Sequence, residues 1–90
     1  MKVFYDPTFI KKLKKCDVKI RNSFIEKRIL FNQDPFHSQL NNHPLKREWE
    51  GYRSIDITQD YRALYKEIVI EKELIAYFLD IDTHEKLYRK

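Results

Sequence analysis

Residues 43–65, "HPLKREWEGYRSIDITQDYRALY", decide the fold. From Trp49 the chain alternates, with Trp49, Gly51, Arg53, Ile55 and Ile57 on one side and Glu50, Tyr52, Ser54 and Asp56 on the other. That period of two describes a strand. Thr58-Gln59-Asp60 turns the chain, residues 61–70 form a second strand, and Glu71-Lys72 turns again. Residues 74–81 are almost wholly apolar, as expected of a strand covered on both faces. The opening stretch also gathers chemistry: one of three histidines, the only tryptophan, the only glycine, four basic residues and an Asp-Tyr-Arg run.

Working outward, Val3-Phe4-Tyr5 is a short apolar run that reads as a strand and ends at Asp6-Pro7, a helix N-cap followed by proline at the first helical position. The helix turns Phe9, Ile10 and Leu13 inward and carries Lys11, Lys12, Lys14 and Lys15 outside. Asp17 caps a second helix. Ile20, Phe24, Lys27 and Phe31 share one stripe of it, and Val18, Ile25 and Ile29 an adjacent one. Residues 35–47 lack periodicity and read as a loop, and the tail from His84 to Tyr88 is too short to type. The expected order is β-α-α-β-β-β, an α+β fold with two helices on one face of a small antiparallel sheet, in a single domain spanning residues 1–90.

Antiparallel pairing across the two turns places Asp56 opposite Arg62 and Ile55 opposite Ala63. Centring the second turn on Glu71 places Arg62 opposite Asp80, Ala63 opposite Leu79 and Tyr61 opposite Ile81. One face then reads Ile55, Ile57, Tyr61, Ala63, Tyr65, Leu79 and Ile81, under the helices. The other carries Asp56, Arg62 and Asp80, flanked by Ser54, Leu64 and Phe78. A slip of one residue would bury the charged trio. Asp60 and the Asp82-Thr83-His84 segment meet at one end of the sheet.

Composition agrees with a small globule: 90 residues, 42% hydrophobic and 36% charged, with a net charge of +4. Residues 1–50 hold eleven Lys/Arg against six Asp/Glu, and residues 51–90 hold seven against eight, so the first half is +5 and the second −1. A basic first half suits an acidic partner such as nucleic acid, or else a solvated lysine face. Cys16 is the only cysteine, which rules out an internal disulfide and suits a reducing compartment. No secretory signal is read at the N-terminus and no apolar run approaches the roughly 20 residues of a membrane span, so the expectation is a cytoplasmic chain. No two of His37, His43, His84 and Cys16 have metal-ligand spacing, so neither a metal nor another cofactor is expected.

In combination, His-Pro-Leu-Lys at 43–46, Gly-Tyr-Arg at 51–53, Asp-Tyr-Arg at 60–62 and Thr-His-x-x-Leu-Tyr at 83–88 resemble the RelE/ParE toxin superfamily, and most closely its YafQ-like, RelE-type mRNA interferases. The likeness covers residues 42–88; the helices match only in order and length. It implies the toxin of a type II toxin–antitoxin system, a ribosome-dependent, metal-independent endoribonuclease in which the mRNA 2′-hydroxyl attacks the adjacent phosphate in the A site. By the same resemblance His43, Asp60 and His84 fall on catalytic positions and Arg62 on a catalytic arginine, while Tyr61 and Tyr88 fall on aromatic positions suited to stacking on a base. Asp56 stands where the pattern has a histidine, and Asp80 where it has an arginine facing the scissile phosphate. Positive charge at the site is then expected from Lys46, Arg47, Arg53, Lys86 or Arg89.

The implied partners are a cognate antitoxin, for which Leu64 and Phe78 are candidate contacts, together with the ribosome and mRNA. Lys11, Lys12, Lys14 and Lys15 are candidates for ribosomal RNA phosphates. Two rival readings stand beside the nuclease: a ParE-like inhibitor of DNA gyrase, and a degenerate toxin that only binds its antitoxin or the ribosome.

Overall fold

Two aspartates start the two long helices. The Asp6 carboxylate accepts the amide of Thr8 at 2.8 Å and Pro7 opens α1 (Pro7–Lys15). Asp17 accepts the amide of Lys19 at 2.6 Å and opens α2 (Val18–Gln33). Each satisfies an amide that the first helical turn leaves without a partner. The computed structural model describes residues 1–88, so Arg89 lies outside the described residues. Around the helices stand β1 (Lys2–Tyr5), β2 (His43–Pro44), β3 (Tyr52–Asp56), β4 (Tyr61–Ile70) and β5 (Glu73–Thr83), and α3 (His84–Tyr88) follows. The five strands make one sheet in the order β1-β5-β4-β3-β2, antiparallel throughout except for the parallel pairing of β1 with β5.

The α+β architecture agrees with the sequence expectation, with additions. Within the expected loop, residues 43 and 44 pair with β3 as a fifth strand. Trp49 closes a single helical turn, Arg47–Trp49, and the strand begins only at Tyr52. The untyped tail forms the single-turn α3. No helix among the described residues is long and apolar enough to cross a membrane.

The first hairpin has the expected register, Asp56 opposite Arg62 and Ile55 opposite Ala63. The second differs by two residues: Arg62 opposes Asp82, Ala63 opposes Ile81 and Tyr61 opposes Thr83. Two local causes add up. The turn is a two-residue loop, Glu71-Lys72, in which both residues have positive φ (52° and 67°), as the tight hairpin turn that follows strand twist requires. A bulge then sets Leu64 opposite Asp80 but Tyr65 opposite Phe78, leaving Leu79 without a partner.

The bulge decides which of two adjacent apolar residues goes inward. Phe78, expected on the opposite face, joins the core, while Leu79 stays half-exposed. There Phe78 meets Tyr5, Phe9, Phe31 and Tyr65 at ring-centroid distances of 5.1 to 5.7 Å. Phe9 and Phe31 descend from the helices. Rings of this size contribute about 1.5–3 kcal/mol each on burial. Leu64 is fully buried as well, on the face turned away from α1 and α2. Neither Leu64 nor Phe78 is therefore a surface on which an antitoxin could dock. The exposed apolar residues of α2 are Val18, Ile25 and Ile29, the adjacent stripe read from the sequence.

Candidate functional site

The end of the sheet where β3 turns into β4 is held by side chains. Thr58 Oγ1 accepts the amides of Asp60 (3.3 Å) and Tyr61 (3.0 Å). Arg62 braces the same turn from the strand: one guanidinium nitrogen donates to the carbonyls of Thr58, Gln59 and Tyr61 at 2.9, 3.0 and 3.1 Å. Its Nε lies 3.0 Å from Asp56 Oδ1. Arg62 is thus engaged through Nη1 by its own turn and through Nε by one carboxylate. Asp80, expected on its other side, is engaged elsewhere.

The amide of His84 donates to the carbonyl of Asp60 at 2.7 Å, which ties the start of α3 to this turn. Thr83 Oγ1 accepts the amide of Lys86 at 3.3 Å and caps the helix. An open cleft of about 380 Å³ results, lined by Asp60, Tyr61, Thr83, His84 and Glu85. It brings together three residues singled out from the sequence, Asp60, Tyr61 and His84. Thr83 was expected at this end of the sheet without being singled out for the site, and Glu85 was not anticipated.

Tyr88 meets the His84 ring edge-on, with centroids 4.7 Å apart, and its hydroxyl is buried. Tyr61 packs partly against the core and lines a second cleft of about 200 Å³ with Lys12, Lys15, Cys16, Ile81 and Asp82. Burial, followed by the Cys16 thiolate and then the carboxylates of Asp82, Asp17 and Asp60, holds the Tyr61 hydroxyl above its ordinary pKa. Burial likewise raises the Cys16 thiol.

In this second cleft Lys12 reaches from α1 to β5, 2.6 Å from Asp80 and 3.0 Å from Asp82. Burial opposes its charge, but the hydrogen bonds to both carboxylates outweigh burial and raise its pKa. Burial similarly works to raise Asp82, and the Thr83 amide with the Lys12 ammonium reverses that, leaving its pKa lowered. Lys12 is therefore an internal strut and not part of a free lysine face, whereas Lys11, Lys14 and Lys15 stay exposed.

His43 does not share the cleft. It opposes Ser54, two residues from Asp56, so it lies on the same face of the sheet as Asp56 and Arg62. Three strand spacings separate β2 from β5, roughly 14 Å. Its ring is exposed, with Nδ1 3.2 Å from the carbonyl of Pro44. Lys46, Arg47 and Lys86 are exposed. Arg53 donates Nε to Asn42 (2.8 Å) and covers the Phe36 ring, on the helix side with Tyr65 and away from the cleft.

No protein-family model matches the sequence, and no curated protein does. Solved structures do match. A YoeB/ParE toxin from Agrobacterium tumefaciens superposes with a TM-score of 0.73 at 20% identity, over 93% of this chain and 99% of that one. The fold is that of the RelE/ParE toxins. YafQ from E. coli strain BL21(DE3) gives 0.65 at 22% identity over 97% of each chain. The RelBE2 toxin–antitoxin complex from Mycobacterium tuberculosis gives 0.71 at 23% identity, over 92% of this chain and 96% of that one.

Proposed function

We propose that this RelE-fold chain is the toxin of a type II toxin–antitoxin pair and cuts mRNA in the ribosomal A site, at the cleft of Asp60, Tyr61 and His84. The observation that carries this reading is the meeting of a carboxylate, an imidazole and an aromatic ring in one open cleft. Asp60 and His84 are the proton-transfer pair. One accepts the proton of the 2′-hydroxyl as that oxygen bonds to phosphorus. The other donates a proton to the departing 5′-oxygen, so a cyclic phosphate and a 5′-hydroxyl remain and no metal takes part. Groups placed in this way contribute about 10²–10⁴-fold. Tyr61 offers a ring for a neighbouring base. His43, three strands away, contacts the RNA beside the scissile linkage and takes no part at it. Lys86 stands next to the cleft on α3, and Lys11, Lys14 and Lys15 are free to meet ribosomal RNA phosphates. An antitoxin docks on the exposed Val18, Ile25 and Ile29 of α2.

The test is to induce the chain in growing cells and map mRNA 5′ ends inside translated frames, then to compare variants on ribosome-bound mRNA. His84→Ala and Asp60→Asn should each lower cleavage by about 10²–10⁴-fold, and His43→Ala by clearly less. Full-rate cleavage by both cleft variants would refute the reading. Growth arrest with no cuts would favour a toxin that acts by binding alone. That alternative has an observation behind it: Asp56 neutralises Arg62, and Lys12 is spent on Asp80 and Asp82, so fewer free cations face a developing phosphorane.

A further inference from the structure

A row of side chains crosses four strands on the face turned away from α1 and α2. Tyr52 on β3 opposes Lys66 on β4, Lys66 opposes Tyr77 on β5, and Tyr77 opposes Phe4 on β1. Directly opposed residues share a face. The adjacent residues Tyr65, Ala76 and Phe78 belong to the core, so this row points the other way.

Its members are accessible and held in place. Phe4 is 46% exposed, and Tyr52, Lys66 and Tyr77 are half-buried. The ring of Trp49 meets Tyr52 edge-on at 5.5 Å, and the Lys66 ammonium lies 5.9 Å from the centre of the Tyr52 ring. The Tyr77 hydroxyl donates to Asp6 at 2.8 Å, which fixes its ring. Strand spacing places the two tyrosines roughly 10 Å apart with the lysine between them.

Alternating rings and a cation suit one class of occupant. An apolar protein surface laid on this row would bury the ammonium without a partner. A single nucleic-acid strand offers flat bases to the rings and a phosphate to the lysine. Lys66 lies six residues from Asp60, roughly 20 Å, and because Tyr61 and Thr83 belong to the helix-covered face, a strand running from the row to the cleft passes the end of the sheet where β3 turns into β4. A few linked nucleotides bridge that gap.

We propose that Tyr52, Lys66, Tyr77 and Phe4 form a stacking platform for single-stranded RNA, separate from the cleft, which holds nucleotides flanking the cleaved linkage. The proposal rests on RNA being the substrate, and its test does not depend on cleavage. Fully 2′-O-methylated oligouridines of two to eight nucleotides cannot supply the attacking hydroxyl. Their binding to the full chain is read by the fluorescence of Trp49, the only tryptophan, which touches Tyr52.

Affinity should climb with length until the row is covered. Tyr52→Ile and Tyr77→Ile, strand-compatible changes that remove the ring, should each weaken binding about tenfold. Tyr52→Phe and Tyr77→Phe should keep it, and Lys66→Gln should lower the salt slope by roughly one. A dinucleotide that binds as well as the octamer, or Ile variants that bind normally, overturns the platform and leaves the row to a protein partner. If His84→Ala still cuts mRNA while the tyrosine-dependent binding persists, the cleft assignment fails and the platform stands.

Discussion

Replacing Lys12 with methionine tests whether the strut between α1 and β5 is a working part of the fold. Its ammonium sits 2.6 Å from Asp80 and 3.0 Å from Asp82, and the three side chains are 36%, 27% and 20% exposed. Two unit charges 3 Å apart attract by about 5 kcal/mol at an effective dielectric near 20, before desolvation is subtracted. Exposed pairs retain about 0.2–1 kcal/mol, and removing one partner of a buried pair costs about 3–5 kcal/mol. The Lys12 cluster lies between these limits, so Lys12→Met should cost about 2 kcal/mol, or about 10 °C in Tm for a chain of this size.

The pH dependence gives the experiment a second axis. The folded-state pKa of Asp82 is depressed, so its share of stability is present above the ordinary value of 3.8 and is lost as pH falls through the folded value. The Lys12 pKa is raised, so its share is present below 10.5 and is lost as pH rises through its folded value. The deficit of the variant should therefore be flat across neutral pH and shrink at both extremes. Urea unfolding across that range measures it. Adding Asp80→Asn and Asp82→Asn to the methionine variant should restore most of the loss. A methionine variant as stable as the parent chain at neutral pH, or one whose deficit persists in strong acid, would refute the argument.

Other expectations concern the turns and the second face of the sheet. Glu71 and Lys72 both hold positive φ without being glycine, so Glu71→Asn with Lys72→Gly should raise stability by about 1 kcal/mol, seen as a higher urea midpoint. Thr58→Val keeps the shape but removes the oxygen that accepts two amides. It should cost about 1 kcal/mol and speed hydrogen exchange at Asp60 and Tyr61. Leu64→Ala should cost about 2–5 kcal/mol, because the residue is fully buried; an exposed docking residue would lose almost nothing.

Much of the architecture was legible because it rests on local rules. Asp6-Pro7 and Asp17 announce helix starts wherever they occur, and each is seen accepting an amide in the first turn. The pairing of Asp56 with Arg62 was readable because a slip of one residue would push a charge into the core. The meeting of Asp60 with His84 followed from the two turns and the resemblance, since both residues lie at strand ends. The second hairpin was not legible in the same way. Phe78 and Leu79 are adjacent and equally apolar, so nothing local says which one is buried, and a bulge that takes up one residue has no signature in that run.

The order of strands and helices, the two caps and the inward face of the first hairpin were thus written in the chain itself, because spacing and charge along a few residues suffice to set them. Only the assembled molecule decided that Lys12 would be captured by two carboxylates nearly seventy positions away, that Arg62 would be engaged by its own turn, and that His43 would stand three strands from His84. Those outcomes depend on which distant groups meet once the sheet has twisted and its register has settled. Neighbouring residues carry no record of that.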